Sequence, residues 1–185
     1  MARVSTAISL SQTYFLRDYY SNNRGLVTSS NRKKYTNSEL SFEDSLALRR
    51  AVKKLGGYSY TDSENSESIA NAITGFIKTY NNTIGSAGTS SDHDILRQAK
   101  RLKKYVNDNS DTLSKLGITV QTDGTLSCSE NLLKKADKDD LQSAFGKDSK
   151  FLKNLTSTAK RLHTETYDNL YGQMTGSGNN INLVL

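Results

Sequence analysis

Ile69, Ile73, Phe76, Tyr80 and Ile84 recur at intervals of 4, 3, 4 and 4 residues, a spacing that only an α-helix turns onto one face. A second stripe, Phe151, Leu155, Leu162 and Leu170, repeats the pattern over roughly 148–173. The 185 residues contain no proline, so no helix is broken by a residue that lacks its N–H and clashes with the preceding turn. Two further helices follow from start and stop signals. Phe42, Leu46, Val52 and Leu55 come with Glu43 and Asp44 early, Lys53 and Lys54 late, and Gly56-Gly57 after, which is acid first, base last, then glycine. Ile95, Ala99, Leu102 and Val106 follow Ser91-Asp92, a pair able to cap a helix.

Helical spacing stops at Gly117. From Ile118 to Cys128 apolar and polar residues alternate about Asp123-Gly124, a short-range hairpin signal with glycine where a positive φ is needed. Ser129 and Asp137 then cap two short helices, one with Leu132 and Leu133, the other with Leu141 and Phe145. The expected fold is mainly α: an elongated antiparallel helical bundle with one small β-hairpin and a disordered N-terminal arm. Its expected divisions are a flexible basic arm over 1–38, a helical domain over 39–175 with the hairpin at 118–128, and a tail over 176–185 that carries Ile181, Leu183, Val184 and Leu185. The two long stripes are similar in length and unbroken, so the segments 64–84 and 148–173 are expected to pack antiparallel on one another in a coiled-coil-like seam.

Charge divides unevenly. Residues 1–38 hold six cations against Asp18 alone, and the remainder is nearly balanced at nineteen against eighteen. The arm is rich in Ser, Thr and Asn, with one apolar patch at Tyr14, Phe15, Leu16, Tyr19 and Tyr20; so polar a segment reads as flexible. Basic residues elsewhere ride on helix exteriors, and Arg97, Arg101 and Lys104 are the candidate contacts for an anionic partner. Nucleic acid is the less favoured partner, because no recognition helix or aromatic platform accompanies the charge. No apolar run is long enough to span a membrane, and the first residues lack the apolar core of a cleavable signal peptide.

Catalysis has no positive support. One Cys and two His are too few for a structural zinc centre, and neither a phosphate-binding loop nor a nucleophile elbow occurs. His93 between two aspartates, His163 one turn from Tyr167, and Cys128 on a strand read as a solvent-facing residue, a boundary histidine and a small hydrophobe. No cofactor and no small-molecule substrate are expected. The stripe residues Ile69, Ile73, Phe76, Tyr80, Ile84, Leu155, Leu162 and Leu170 are instead the candidates for packing and assembly.

Three blocks of residues occur in a familiar order: Phe76, Tyr80, Asn81 and Asn82; Leu113, Leu116, Gly117, Ile118, then Asp123, Gly124, Thr125, Leu126; and Leu133, Leu141, Phe145. Over about residues 72–145 this order resembles the C-terminal part of the bacterial flagellar filament-cap (hook-associated) protein family. There a Phe-Tyr-Asn helix precedes a Leu-x-x-Leu-Gly-Ile strand, an Asp-Gly turn and a capped helix. The resemblance implies a helical stalk bearing a hairpin, and a non-catalytic structural or assembly protein associated with the flagellum. It also implies self-association or flagellar structural proteins as partners, and export without a cleavable signal. The alternative is a cytoplasmic binding protein whose basic arm engages nucleic acid or an acidic partner.

Overall fold

The computed structural model describes residues 30–60 and 66–176. The arm expected to be flexible, as far as residue 29, its aromatic patch, the expected helix start at Asp62-Ser63-Glu64 and the apolar tail lie outside those residues. The chain divides into two units, Met1–Lys34 and Tyr35–Leu185, so the boundary falls four residues before the one expected at 38/39. In the first unit the described part is a 3-10 turn, Ser30–Lys34.

The second unit begins with a capping box. Thr36 Oγ1 accepts the Glu39 N–H at 3.3 Å while Glu39 Oε2 accepts the Thr36 N–H at 2.8 Å, satisfying two donors that a helix start leaves open. Helix α1 runs from there over Asn37–Leu55. Helix α2 is Ser66–Ala87, and α3 is His93–Asp108, capped by Asp92 accepting from the N–H groups of Asp94 and Ile95. A short α4, Ser110–Lys115, leads to strands β1, Ile118–Val120, and β2, Leu126–Cys128. Helices α5, Glu130–Lys134, and α6, Lys138–Phe145, precede the 26-residue α7, Lys150–Thr175. Asp137 caps α6 through the N–H groups of Asp139 and Asp140. Ser129 stands at the start of α5 without a side-chain cap bond, and Ser149 caps α7.

A mainly helical bundle carrying one two-stranded antiparallel sheet is therefore the fold. All eight stripe residues are buried. The seam expected between the two stripes is not formed. Helix α1 lies between α2 and α7, and α3 completes the ring against α7 and α2. The direction is also opposite to expectation. Asn37 and Ser38 at the start of α1 bond to Ser86 at the end of α2 and to Asn169 and Gln173 at the end of α7, and Asn169 also reaches Asp92 at the start of α3. Helices α2 and α7 thus end where α1 and α3 begin, so they run parallel to each other, diagonally across an up-down-up-down ring. Toward the other end of the bundle Phe145 of α6 stands between them, its ring 6.0 Å from Phe76 and 6.1 Å from Phe151.

The hairpin pairs Ile118 with Cys128, Thr119 with Ser127 and Val120 with Leu126. Its turn is closed by Gln121 N–H to Thr125 O at 2.8 Å and Gly124 N–H to Gln121 O at 2.9 Å. Gly124 has φ +83°, the left-handed position that a three-residue loop requires. Gly117 at the hairpin's base is also left-handed, φ +75°, and a Cβ there would stand 2.5 Å from Leu132 Cβ.

Candidate functional site

Strand β2 has β1 on one edge only. Backbone groups along a strand point alternately to its two edges, so Leu126, opposite Val120 in a pair flanked by bonded pairs, turns its N–H and C=O away from β1. Asn81 of α2 meets both. Its Nδ2 donates to Leu126 O at 2.7 Å and its Oδ1 accepts the Leu126 N–H at 2.8 Å. One residue earlier, Tyr80 donates its hydroxyl to Gly124 O at 2.9 Å. Burial, with Asp123 adding to it, pushes the Tyr80 phenol well above its usual range, so the group stays a neutral donor. From the other side Lys103 of α3 donates to Asp123 O at 2.8 Å. Asp123 Oδ1 accepts both the N–H and the hydroxyl of Thr125, and these bonds first, then Lys103, hold its carboxyl below the usual range. The hairpin is thus clasped between α2 and α3 by side chains gripping its backbone.

Sequence reasoning marked Tyr80, Asp123 and Gly124, and the structure brings all three together. It did not find the Asn81 clasp, because an amide side chain gives no periodic sign that a distant backbone is its partner.

Arg97, Arg101 and Lys104 lie along the outer side of α3, where they border a depression of about 330 Å³ with His93, Leu96 and Lys100. Arg97 pairs with Asp94, and Lys104 with Asp108 at 2.7 Å; Arg101 donates to Gln98 Oε1 at 3.4 Å. Pairs this exposed contribute little to stability. The face is cationic, with part of its charge met within its own helix.

A polar cluster joins α1 to α7. Ser45 Oγ lies 2.8 Å from Thr166 Oγ1 and 3.4 Å from His163 Nδ1, and it donates to Phe42 O at 2.8 Å. The His163 ring stacks on Phe42 at 5.2 Å. Burial first, then Arg49 and Arg50, lowers the His163 pKa to about 4, so near neutral pH the imidazole is uncharged. A serine beside a neutral imidazole has the parts of an activated nucleophile, but Ser45 is wholly buried and its hydroxyl is engaged inside the bundle. The arrangement fastens helices.

Glu43 and Asp44, expected as acids of a helix's first turn, are both inside; Glu39 holds that first-turn place. Asp44 Oδ2 accepts the Ser86 hydroxyl at 2.7 Å, and its backbone carbonyl accepts Thr83 Oγ1 at 3.1 Å. Glu43, 5% exposed, leaves Oε1 without a hydrogen bond, and burial raises its pKa to about 7.

Among the described residues no group of three or more His, Cys, Asp or Glu could hold a metal ion, and no helix is long and apolar enough to cross a membrane. Compared with protein-family models, curated proteins and solved structures, the chain finds no match in any of the three.

Proposed function

We propose that this protein acts by assembly and not by catalysis, as a flagellum-associated structural or accessory component built on the filament-cap-like stalk and hairpin. The observation that carries this reading is the clasp. The Phe-Tyr-Asn helix and the Asp-Gly-Thr-Leu turn belong to two of the three blocks on which the resemblance rests. They lie about forty residues apart in sequence and meet through Tyr80 to Gly124 and Asn81 to Leu126. A hairpin held by its backbone leaves exposed side chains such as Thr119 and Thr122 to vary and to meet other chains. That suits a module used for contact between proteins. Buried Asp44, Ser45, Thr83, Ser86 and Thr166 fasten helices to one another, which also fits a structural part.

Localisation tests the proposal. In the native host, antibody against the protein should detect it in sheared filament or hook-basal preparations, and in the medium of cells with intact flagellar export but not of export-deficient cells. A protein that stays in the cytoplasm of both strains overturns the flagellar reading and favours the cytoplasmic binding protein.

A further inference from the structure

The end of α1 and the beginning of α7 enclose a groove of about 580 Å³, within the size range of sites that bind ligand groups. Gly56 and Gly57 form one wall, and Gly56 is close enough to α7 that a Cβ would stand 3.2 Å from Leu152 Cδ2. Leu152 and Val52 form the base, and Lys53, Lys147 and Lys153 rim it. A second depression of about 420 Å³ shares Lys53 and Gly57 and adds Arg50, Lys54 and Tyr58. No acidic residue is among the described residues lining either hollow, and α7 has none in its first turn. Asp148, paired with Lys153 at 3.4 Å, is an acid beside this rim, and both side chains are exposed.

We propose that this groove docks an acidic peptide segment carrying apolar side chains, supplied by a partner protein. The lysine ammonium groups complement carboxylates. Between them the lysine stems, the glycine wall and the Leu152 base offer apolar surface, which a bare phosphate backbone would not use. Among the described residues Tyr58 is the one aromatic ring in the lining, and it sits tilted against Tyr60 at 6.4 Å. That is no stacking surface for successive bases, so peptide is favoured over nucleic acid. The proposal does not depend on the flagellar reading, because its test is binding by the purified chain and involves no export.

The experiment is fluorescence anisotropy with the full chain and four labelled probes of equal length: an alternating Glu/Leu peptide, its Lys/Leu counterpart, a Glu/Ser peptide and a single-stranded oligonucleotide. The Glu/Leu probe should bind at least tenfold more tightly than the other three, and weaken as salt rises. The triple variant Lys53→Glu, Lys147→Glu, Lys153→Glu should lower that affinity at least tenfold. Gly57→Phe should do the same by filling the shared wall, since a Cβ at Gly57 meets nothing closer than Lys54 O at 3.4 Å. Lys78→Glu, Lys134→Glu, Lys135→Glu, with the same change in net charge elsewhere, should stay within twofold. Circular dichroism confirms that each variant is folded. Equal loss with both triple variants, no effect of Gly57→Phe, no binding of the Glu/Leu probe, or oligonucleotide binding as tight as that probe's would each overturn the proposal.

Discussion

Asn81→Ala removes both bonds that α2 makes to the free edge of β2 and puts nothing in their place. The side chain is bonded twice to one residue, at 2.7 and 2.8 Å, and Leu126 is buried, so water reaches the exposed N–H and C=O poorly. Each lost bond is worth about 1 kcal/mol net and more where a partner stays dry, so the variant should lose about 2–4 kcal/mol. That is a large part of the roughly 5–15 kcal/mol that holds a domain folded. Urea unfolding followed by circular dichroism gives the total, and amide exchange gives the place. The Leu126 amide should change from protected to fast-exchanging, while Ile95 and Leu102 in α3 should keep their relative protection. Tyr80→Phe, which loses a single bond to Gly124 O, should cost about 1 kcal/mol and leave the Leu126 amide protected. If Asn81→Ala changes stability by less than about 0.5 kcal/mol and the Leu126 amide stays slow, the clasp does not hold the hairpin.

Gly124→Val forces a branched side chain into φ +83°, at a cost of roughly 1–2 kcal/mol or more, and should lower Tm measurably in a thermal melt. Phe76→Ala, at a fully buried ring in contact with Phe145, should cost on the order of 3–5 kcal/mol in urea unfolding. Glu43 has its pKa raised from 4.5 to about 7 in the folded chain. Between those values the folded state keeps a proton that the unfolded state has released, so stability falls as pH rises across that window, by up to about 3 kcal/mol. Glu43→Gln should therefore match the parent near pH 4 and exceed it by that amount at pH 8 in paired urea titrations. His163, lowered to about 4, works the other way. Its folded form resists the proton that the unfolded form takes up, so it costs stability as pH falls from 6.5 to 4, and His163→Gln should flatten the acid limb of the profile.

What periodicity can report, it reported: every residue of the two stripes is buried, and the hairpin turns at Asp123-Gly124 with glycine at positive φ. The start of α1 was legible too, in the Thr36-x-x-Glu39 pattern of a capping box, but the apolar spacing drew the boundary to Ser38. Glu43 and Asp44 differ from expectation because an acid near a helix start is usually a solvated partner of the helix dipole, whereas here both are buried. The clasp and the α1–α7 groove are contacts between segments forty and about a hundred residues apart. No pattern within either segment encodes the other.

The misplaced seam shows what does encode partnership. An apolar stripe states that a helix has a buried face and leaves open which helix covers it, since dispersion and burial are nearly indifferent among partners of similar width. Stripes on α2 and α7 match in length, and by that measure alone they could have packed together. Polar groups within the stripes' own level discriminate, because a buried donor or acceptor set against the wrong neighbour is left without a bond. Asp44 meets Ser86 and Thr83 only if α1 lies on α2. Ser45 meets Thr166 only if α7 lies on the other side of the same turn of α1, and Asn169 meets Asp92 only if α3 closes the ring. Adjacent residues on one helix, Asp44 and Ser45, thus fasten two different neighbours, and in doing so they place α2 and α7 apart and parallel. Replacing Asp44 and Ser45 together by alanine leaves every stripe intact, and should loosen the order of the helices more than it reduces the amount of helix. The near-ultraviolet circular dichroism and amide protection should drop while the far-ultraviolet signal persists. Unchanged tertiary signals would mean that the stripes select their partners without the polar pins.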